Sequence, residues 1–398
     1  MTLFADVTGS ADAHRPDLPA GLPVTRINLG NLRRNWLFLS SLAKDCQPMG
    51  VIKSDAYGHG LEAVARALLD AGCRNLAVGG VAEGVILRKF LGDTGQEISV
   101  LSLLGAQSPE DAASAVAHRI TPLVASAGQA AQVSAAWSGP DPLPVAIKVD
   151  TGLARLGFRA HEMQECITAL RSLANLRPAM LLSHLAFADN PARDESVSGQ
   201  AERFLAAYAA MRAFWPDIAL SLANSACHLA RDIHLGSLPP QVSRIGFALY
   251  GGNPFSGTAR EHLGRALLPV MEAAAPVLGV HDLARGQSVS YGGIFTAGKD
   301  MRIAVVGAGY ADGLSRLLSG KGQVCIRGER CPRIGNLCMQ MHMVDVGRVP
   351  GAARGDAAYL LGGEGPGAIS MWDIAGEWGT IPYEVFTALG RNPRRYQS

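Results

Sequence analysis

V-I-K-S-D-A-Y-G-H-G, Val51 to Gly60, takes an apolar run into a lysine and then, four residues on, into a Tyr-Gly-His-Gly turn. Lysine is costly to bury, so a strand-like segment that delivers one to its own end holds that amine for a purpose. Outward from this stretch, M-G-V-I reads as a short buried strand. The following G-L-E-A-V-A-R-A-L-L-D-A-G puts Val64, Ala67, Leu68 and Ala71 on one helical face. Strand then helix is the unit that decides the fold.

The unit recurs. Apolar runs at 49–56, 75–80, 98–104, 120–126, 145–151, 179–186, 221–226 and 241–251 alternate with helical patterns. Eight βα units fit a TIM (β/α)8 barrel, which typically takes about 250 residues. A doubly wound open sheet is the alternative, since periodicity alone does not prove closure. Beyond residue 268, runs such as P-V-L-G-V-H-D-L, R-I-A-V-V-G-A-G and M-H-M-V-D-V-G are separated by turns with little room for helices. The pattern predicts a flexible tail over 1–22, a barrel over 23–267 and a smaller mainly-β domain over 268–398.

Composition narrows the class. The chain has 398 residues, 48% hydrophobic and 18% charged, with a formal net charge of +2 and no long run of one sign. That leaves no electrostatic case for nucleic acid or an anionic membrane as partner. No apolar stretch approaches the ~20 residues needed to span a bilayer, and the N-terminus has no secretory pattern. Seven cysteines without CxxC spacing predict reduced thiols, a cytoplasmic location and no metal site.

In a barrel of this kind the C-terminal strand ends carry the chemistry, and phosphate often binds in the loops after strands seven and eight. Lys53 ends the first strand, Lys148 and Asp150 end the fifth, and Arg155 follows in K-V-D-T-G-L-A-R-L-G-F. His184 ends the sixth, Asn224 and Ser225 the seventh, and Arg244 lies in the eighth just before Gly246. Singly these are bland. A strand-end lysine usually snorkels, a lone histidine is usually a core residue, and Asn-Ser usually caps a helix. Gathered at one rim, a lysine amine, a phosphate cradle and several cations suggest pyridoxal 5'-phosphate held as a Schiff base.

With these residues in place, the chain resembles the alanine racemases from about residue 24 to Tyr396. V-I-K-S-D-A-Y-G-H-G is similar to that family's cofactor-lysine signature, which implies that Lys53 carries the cofactor and Tyr57 reaches its phosphate. K-V-D-T-G-L-A-R-L-G-F is similar to the segment in which a carbamylated lysine, here Lys148, orients an arginine, here Arg155, toward cofactor and substrate. S-H-L-A-F-A-D implies His184 as the active-site histidine. A-N-S-A and R-I-G-F-A-L-Y-G imply Asn224, Ser225, Gly246 and Phe247 at the phosphate and Arg244 at the pyridine nitrogen. In the second domain, V-S-Y-G-G implies Tyr291 as a catalytic tyrosine. G-Y-A-D-G, C-M-Q and I-P-Y-E imply gate tyrosine Tyr310, substrate-contacting Met339 and Gln340, and phosphate-contacting Tyr383.

The resemblance thus implies a racemase interconverting L- and D-alanine with two bases, Lys53 and a tyrosinate from the partner of a homodimer. Three departures stand out. Ser221 replaces a frequent histidine. Asn336 replaces an arginine that pairs at the substrate entry with an aspartate, here Asp189. Gln340 replaces a carboxylate. Broader or serine-preferring racemisation is therefore a second expectation. Ile303–Gly313, I-A-V-V-G-A-G-Y-A-D-G, imitates a dinucleotide fingerprint, but a crossover needs at least ~10–12 residues with its helix and Gly-Lys-Gly interrupts at once. A non-catalytic cofactor carrier is disfavoured by Tyr291, and a decarboxylase by the missing Cys-x-x-x-Asp.

Overall fold

The computed structural model describes residues 22–43, 46–234, 238–239 and 241–398, so the expected tail lies outside it apart from Leu22. The chain divides into two compact units, one of residues 28–270 and one of residues 24–27 with 271–397.

In the larger unit, eight parallel strands follow in order around a barrel: Cys46–Val51, Asn75–Val78, Ser99–Ser102, Thr121–Val124, Leu143–Asp150, Leu176–Leu182, Ala219–Ser221 and Gln241–Ile245. The eighth pairs with the first, from Gln241 opposite Cys46 to Ile245 opposite Gly50. Between the seventh and eighth, the N–H of Arg244 donates to the carbonyl of Ala223 at 2.9 Å. The barrel is therefore nearly closed, and its thinnest seam lies beside the polar rim. Helices cover the strands on the outside, as the apolar runs require. Val145, Ala146, Ile147 and Val149 are all buried, the sign of a strand covered on both faces. Helix starts follow local chemistry: Asn28, Ser108 and Ser126 each accept a backbone N–H of the first turn.

The smaller unit is a closed antiparallel barrel. Its long strand Met271–Leu283 pairs with Met301–Val306 on one side and Ala357–Leu361 on the other. The circuit runs from Met301–Val306 through His342–Asp345, Glu329–Ile334 and Gln323–Ile326 back to Ala357–Leu361. Strand Val24–Asn28, which the sequence pattern leaves with the (β/α)8 barrel, pairs antiparallel with the opening of Met271–Leu283. The dinucleotide imitation is overturned here. Its strand Met301–Val306 has antiparallel neighbours on both sides and runs into a short 3-10 turn, Tyr310–Asp312. No helix N-terminus follows to receive a pyrophosphate.

Candidate active site

Lys53 lies two residues past its strand and opens a tight turn. Ser54, Asp55, Ala56 and Tyr57 all have φ between 53° and 56°, a full left-handed turn without glycine. Each such residue costs roughly 1–2 kcal/mol, so the surroundings must impose it. The N–H groups of Ala56 and Gly58 donate back to the carbonyls of Ile52 and Ser54. Glu83 accepts from the N–H of Asp55 at 2.8 Å and of Gly79 at 2.7 Å, and the Asp55 carboxylate accepts from Leu61 N–H. His59 Nδ1 lies 3.0 Å from the carbonyls of Ala56 and Tyr57, which makes it the protonated ring nitrogen, and its ring stacks on Tyr250. Tyr250 in turn donates to the carbonyl of Val51. Sequence reasoning missed Glu83 and Tyr250. Glu83 reads there as an ordinary first-turn acid of helix Val81–Leu91.

The turn aims Tyr57 at the end of the eighth strand. A Cβ on Gly246 would stand 2.5 Å from the Tyr57 hydroxyl. Beside it, Ser225 Oγ accepts from the N–H groups of Gly246 and Ala248 at 3.1 and 3.2 Å. Asn224 caps helix Ser225–Leu229 by accepting from Cys227 N–H. Phe247 opens the short turn Phe247–Tyr250. Tyr57, Ser225 and Gly246 thus meet at the end of the eighth strand.

Beside it lies an excess of cations. Arg244 is buried, and its guanidinium donates to the carbonyl and hydroxyl of Ser221, to the carbonyl of Ser183, and to His184 Nδ1 at 3.4 Å. Burial pushes its pKa down to about 10. Lys148 is buried among the apolar residues of its strand. Burial first, then the charges of Arg244 and Arg155, hold its ammonium well below the ordinary lysine value. Lys53 is lowered by burial and by Arg155, with Glu83 opposing. Burial first, then the charges of Arg244, Lys148, Arg155 and Lys53, hold the His184 imidazole well below its ordinary pKa. The acid beside Lys148, Asp150, is occupied: it accepts N–H groups from Gly152, Leu153, Ala154 and Arg155 and so shapes the loop that carries Arg155.

So many basic groups within reach of one another call for anions. A backbone cradle with a tyrosine hydroxyl and a serine hydroxyl suits a phosphate, and a partly desolvated lysine suits a carbonyl carbon. The residues present fit a phosphorylated aldehyde cofactor.

The smaller unit holds the remaining expected residues. Tyr291, Tyr310, Met339 and Tyr383 are 76%, 41%, 57% and 38% exposed. Gln340 is exposed beside Met339. Tyr310 and Ala311 donate their N–H groups to the carbonyls of Cys338 and Met339. Asn336 Nδ2 donates to the carbonyl of Tyr291 at 2.6 Å.

Residues 27–254 match the family model for the alanine racemase N-terminal domain, and residues 270–397 that for the C-terminal domain. The chain is 46% identical over 373 residues to an alanine racemase of Nitratidesulfovibrio vulgaris, covering 94% of this chain and 97% of that one. An alanine racemase structure from Streptomyces lavendulae superposes with a TM-score of 0.85 at 30% identity, covering 96% of this chain and 98% of that one. One from Bartonella henselae, with covalently bound pyridoxal phosphate, does so with 0.81 at 28% identity, covering 95% and 100%.

Proposed function

Because the chain belongs to the alanine racemase family, we propose that it interconverts L- and D-alanine with pyridoxal 5'-phosphate carried on Lys53 and with Lys53 and Tyr291 as the two bases. The carrying observation is the cradle at Gly246, where a Cβ would stand 2.5 Å from the Tyr57 hydroxyl, beside a partly desolvated lysine in a cluster of cations.

Tyr57, Ser225 and the N–H groups around Gly246 and Phe247 hold the phosphate, with Asn224 fixing Ser225 and Tyr383 closing on the same group. Arg155 holds the phenolic oxygen and the substrate carboxylate. Bound cofactor makes the α-proton of the attached amino acid acidic. Arg244 would stand at the ring nitrogen and, as a guanidinium, would offer it a donor and no acid. By leaving that nitrogen unprotonated, Arg244 would weaken electron withdrawal and favour return of the proton over transamination. Lys53 takes or returns the proton on one face, its lowered pKa easing loss of its own proton. Tyr291 does the same on the other face. Free tyrosine titrates near ~10, so its anion needs the cations at the rim.

Lys148 is read as a carbamate. A neutral amine attacks carbon dioxide and releases one proton, leaving an anion in a place where Arg155 and Arg244 are otherwise unopposed. Tyr310, Met339 and Gln340 line the substrate entrance. Each site is completed by the smaller unit of a partner chain, so the working form is a homodimer, and the exposed Tyr291, Tyr310, Met339 and Tyr383 support this. Among the described residues no helix is long and apolar enough to cross a membrane, and the described cysteines are free thiols. The thiols support a cytoplasmic location.

The test is direct. Purified protein should be yellow, borohydride should fix the chromophore to the peptide containing Lys53, and L-alanine should lose its optical rotation. Labelling of another lysine would reject the assignment.

A further inference from the structure

We infer that Asn336 is the positioning residue for Tyr291, a role that rests on the reading of Tyr291 as a base. Residues 335–341 connect strands Glu329–Ile334 and His342–Asp345, two neighbours in the closed β-barrel. The connection is tied down by Gly320 N–H on the Gly335 carbonyl, Leu337 N–H on Ser319 Oγ, and Cys338 N–H on the Met341 carbonyl. These three hydrogen bonds make it a platform on the barrel.

On one edge of this platform, Asn336 grips the segment that carries Tyr291. Its side-chain Nδ2 donates to the Tyr291 carbonyl at 2.6 Å, and its own carbonyl accepts from Ser290 Oγ at 2.8 Å. A carbonyl can only accept, so the amide nitrogen must be the atom that faces Tyr291. Ser290 also meets Cys338 Sγ at 3.4 Å. Ser290 itself is held at φ 65°, a conformation that persists in a non-glycine residue only where its surroundings impose it. The next residues, Gly292 and Gly293, have no side chains with which to anchor the turn. The side chain of Tyr291 is mostly exposed, so its backbone must be fixed by other means. On the other edge, the same platform accepts the N–H groups of Tyr310 and Ala311. One hairpin connection therefore sets the spacing of Tyr291, Tyr310 and Met339, and Asn336 is its grip on the base.

The experiment compares Asn336→Ala, Asn336→Asp and Ser290→Ala as holoenzymes. Aspartate keeps the shape of asparagine but presents an oxygen to the Tyr291 carbonyl, so kcat should fall in the order wild type, alanine, aspartate. A misplaced base costs up to roughly 100-fold, and KM for alanine should move much less than kcat. A filling role would give the opposite order, because aspartate preserves volume. In deuterium oxide, inversion of both enantiomers should slow in Asn336→Asp. Exchange of the α-proton without inversion should persist for the one enantiomer whose proton faces Lys53, returned from a deuterated lysine to the same face. Hydrogen exchange of the 288–296 peptide should quicken in all three variants at unchanged rates elsewhere. Equal loss of exchange in both enantiomers, an alanine variant slower than the aspartate one, or unaltered protection of 288–296 would overturn the inference. Tyr291→Phe separates the two readings. If it racemises at the wild-type rate, the assignment of Tyr291 fails. If it is inactive while Asn336→Asp is normal, only the role of Asn336 fails.

Discussion

The Tyr57 hydroxyl stands 2.5 Å from the position that a Cβ of residue 246 would take. One end of the chain's opening βα unit thus depends on the absence of a side chain almost two hundred residues on. Gly246→Ala should displace Tyr57 and fill the phosphate cradle. Cofactor affinity should fall by roughly tenfold or more, about 1.4 kcal/mol or above, read by titrating stripped protein with pyridoxal phosphate. Unchanged affinity would mean that phosphate binds elsewhere.

Lys148 should be found carbamylated. Protein prepared with carbon-13 bicarbonate should show a carbamate resonance that Lys148→Ala lacks. The variant should lose most activity and recover part of it in acetate, whose carboxylate can sit where the carbamate was. Full activity with a free amine at Lys148 would reject the proposal.

Asp150 governs an acid-side stability step. Burial alone would raise its pKa, but four backbone N–H donors outweigh burial and hold it below the ordinary value. A carboxyl with a depressed folded pKa contributes stability that is present above the unfolded value of about 3.9 and is lost as pH falls through the folded one. Asp150→Asn should lower the melting temperature at neutral pH and shrink the further loss on acidification below pH about 4. A variant that keeps the wild-type acid limb would show that Asp150 makes no difference there.

Inactive Lys53→Ala and Tyr291→Ala chains should regenerate activity when mixed. One of the two sites in the hybrid dimer then has both bases. Absence of recovery in verified hybrids would place both bases on one chain.

Gln340 should widen the substrate range. Its amide offers a donor and an acceptor where the family presents an anion, and one such contact is worth about 0.5–1.5 kcal/mol. Gln340→Asp should lower kcat/KM for serine relative to alanine by at most roughly tenfold. If the ratio stays put, this position does not set specificity. Asn336, expected from its sequence position to loosen the entrance, also gives its amide to the Tyr291 carbonyl, so its replacement should act on kcat as well as on selectivity.

Lys53, Lys148, His184 and Arg244 were legible because each is a polar interruption of an apolar strand pattern, and such interruptions are rare without cause. Glu83 was not, since a first-turn glutamate is common and nothing local records that it braces a turn 28 residues earlier. Strand Val24–Asn28 was misplaced for a similar reason. Its alternation is that of any half-buried strand, and only its partner, Met271–Leu283, decides which unit it joins.

By itself the sequence determined what local chemistry can encode: the period of each element, the caps that start helices, and the residue types that end each strand. The tertiary structure decided which of those ends meet. The left-handed turn of Ser54–Tyr57 is unfavourable alone and exists because Glu83, Tyr250 and His59 hold it. The lowered pKa values of Lys53 and Lys148 likewise come from burial and from charges that folding brings close, Arg155 and Arg244 at Lys53 and chiefly Arg244 at Lys148. Desolvation and Coulomb forces act through space, so only folding could supply them.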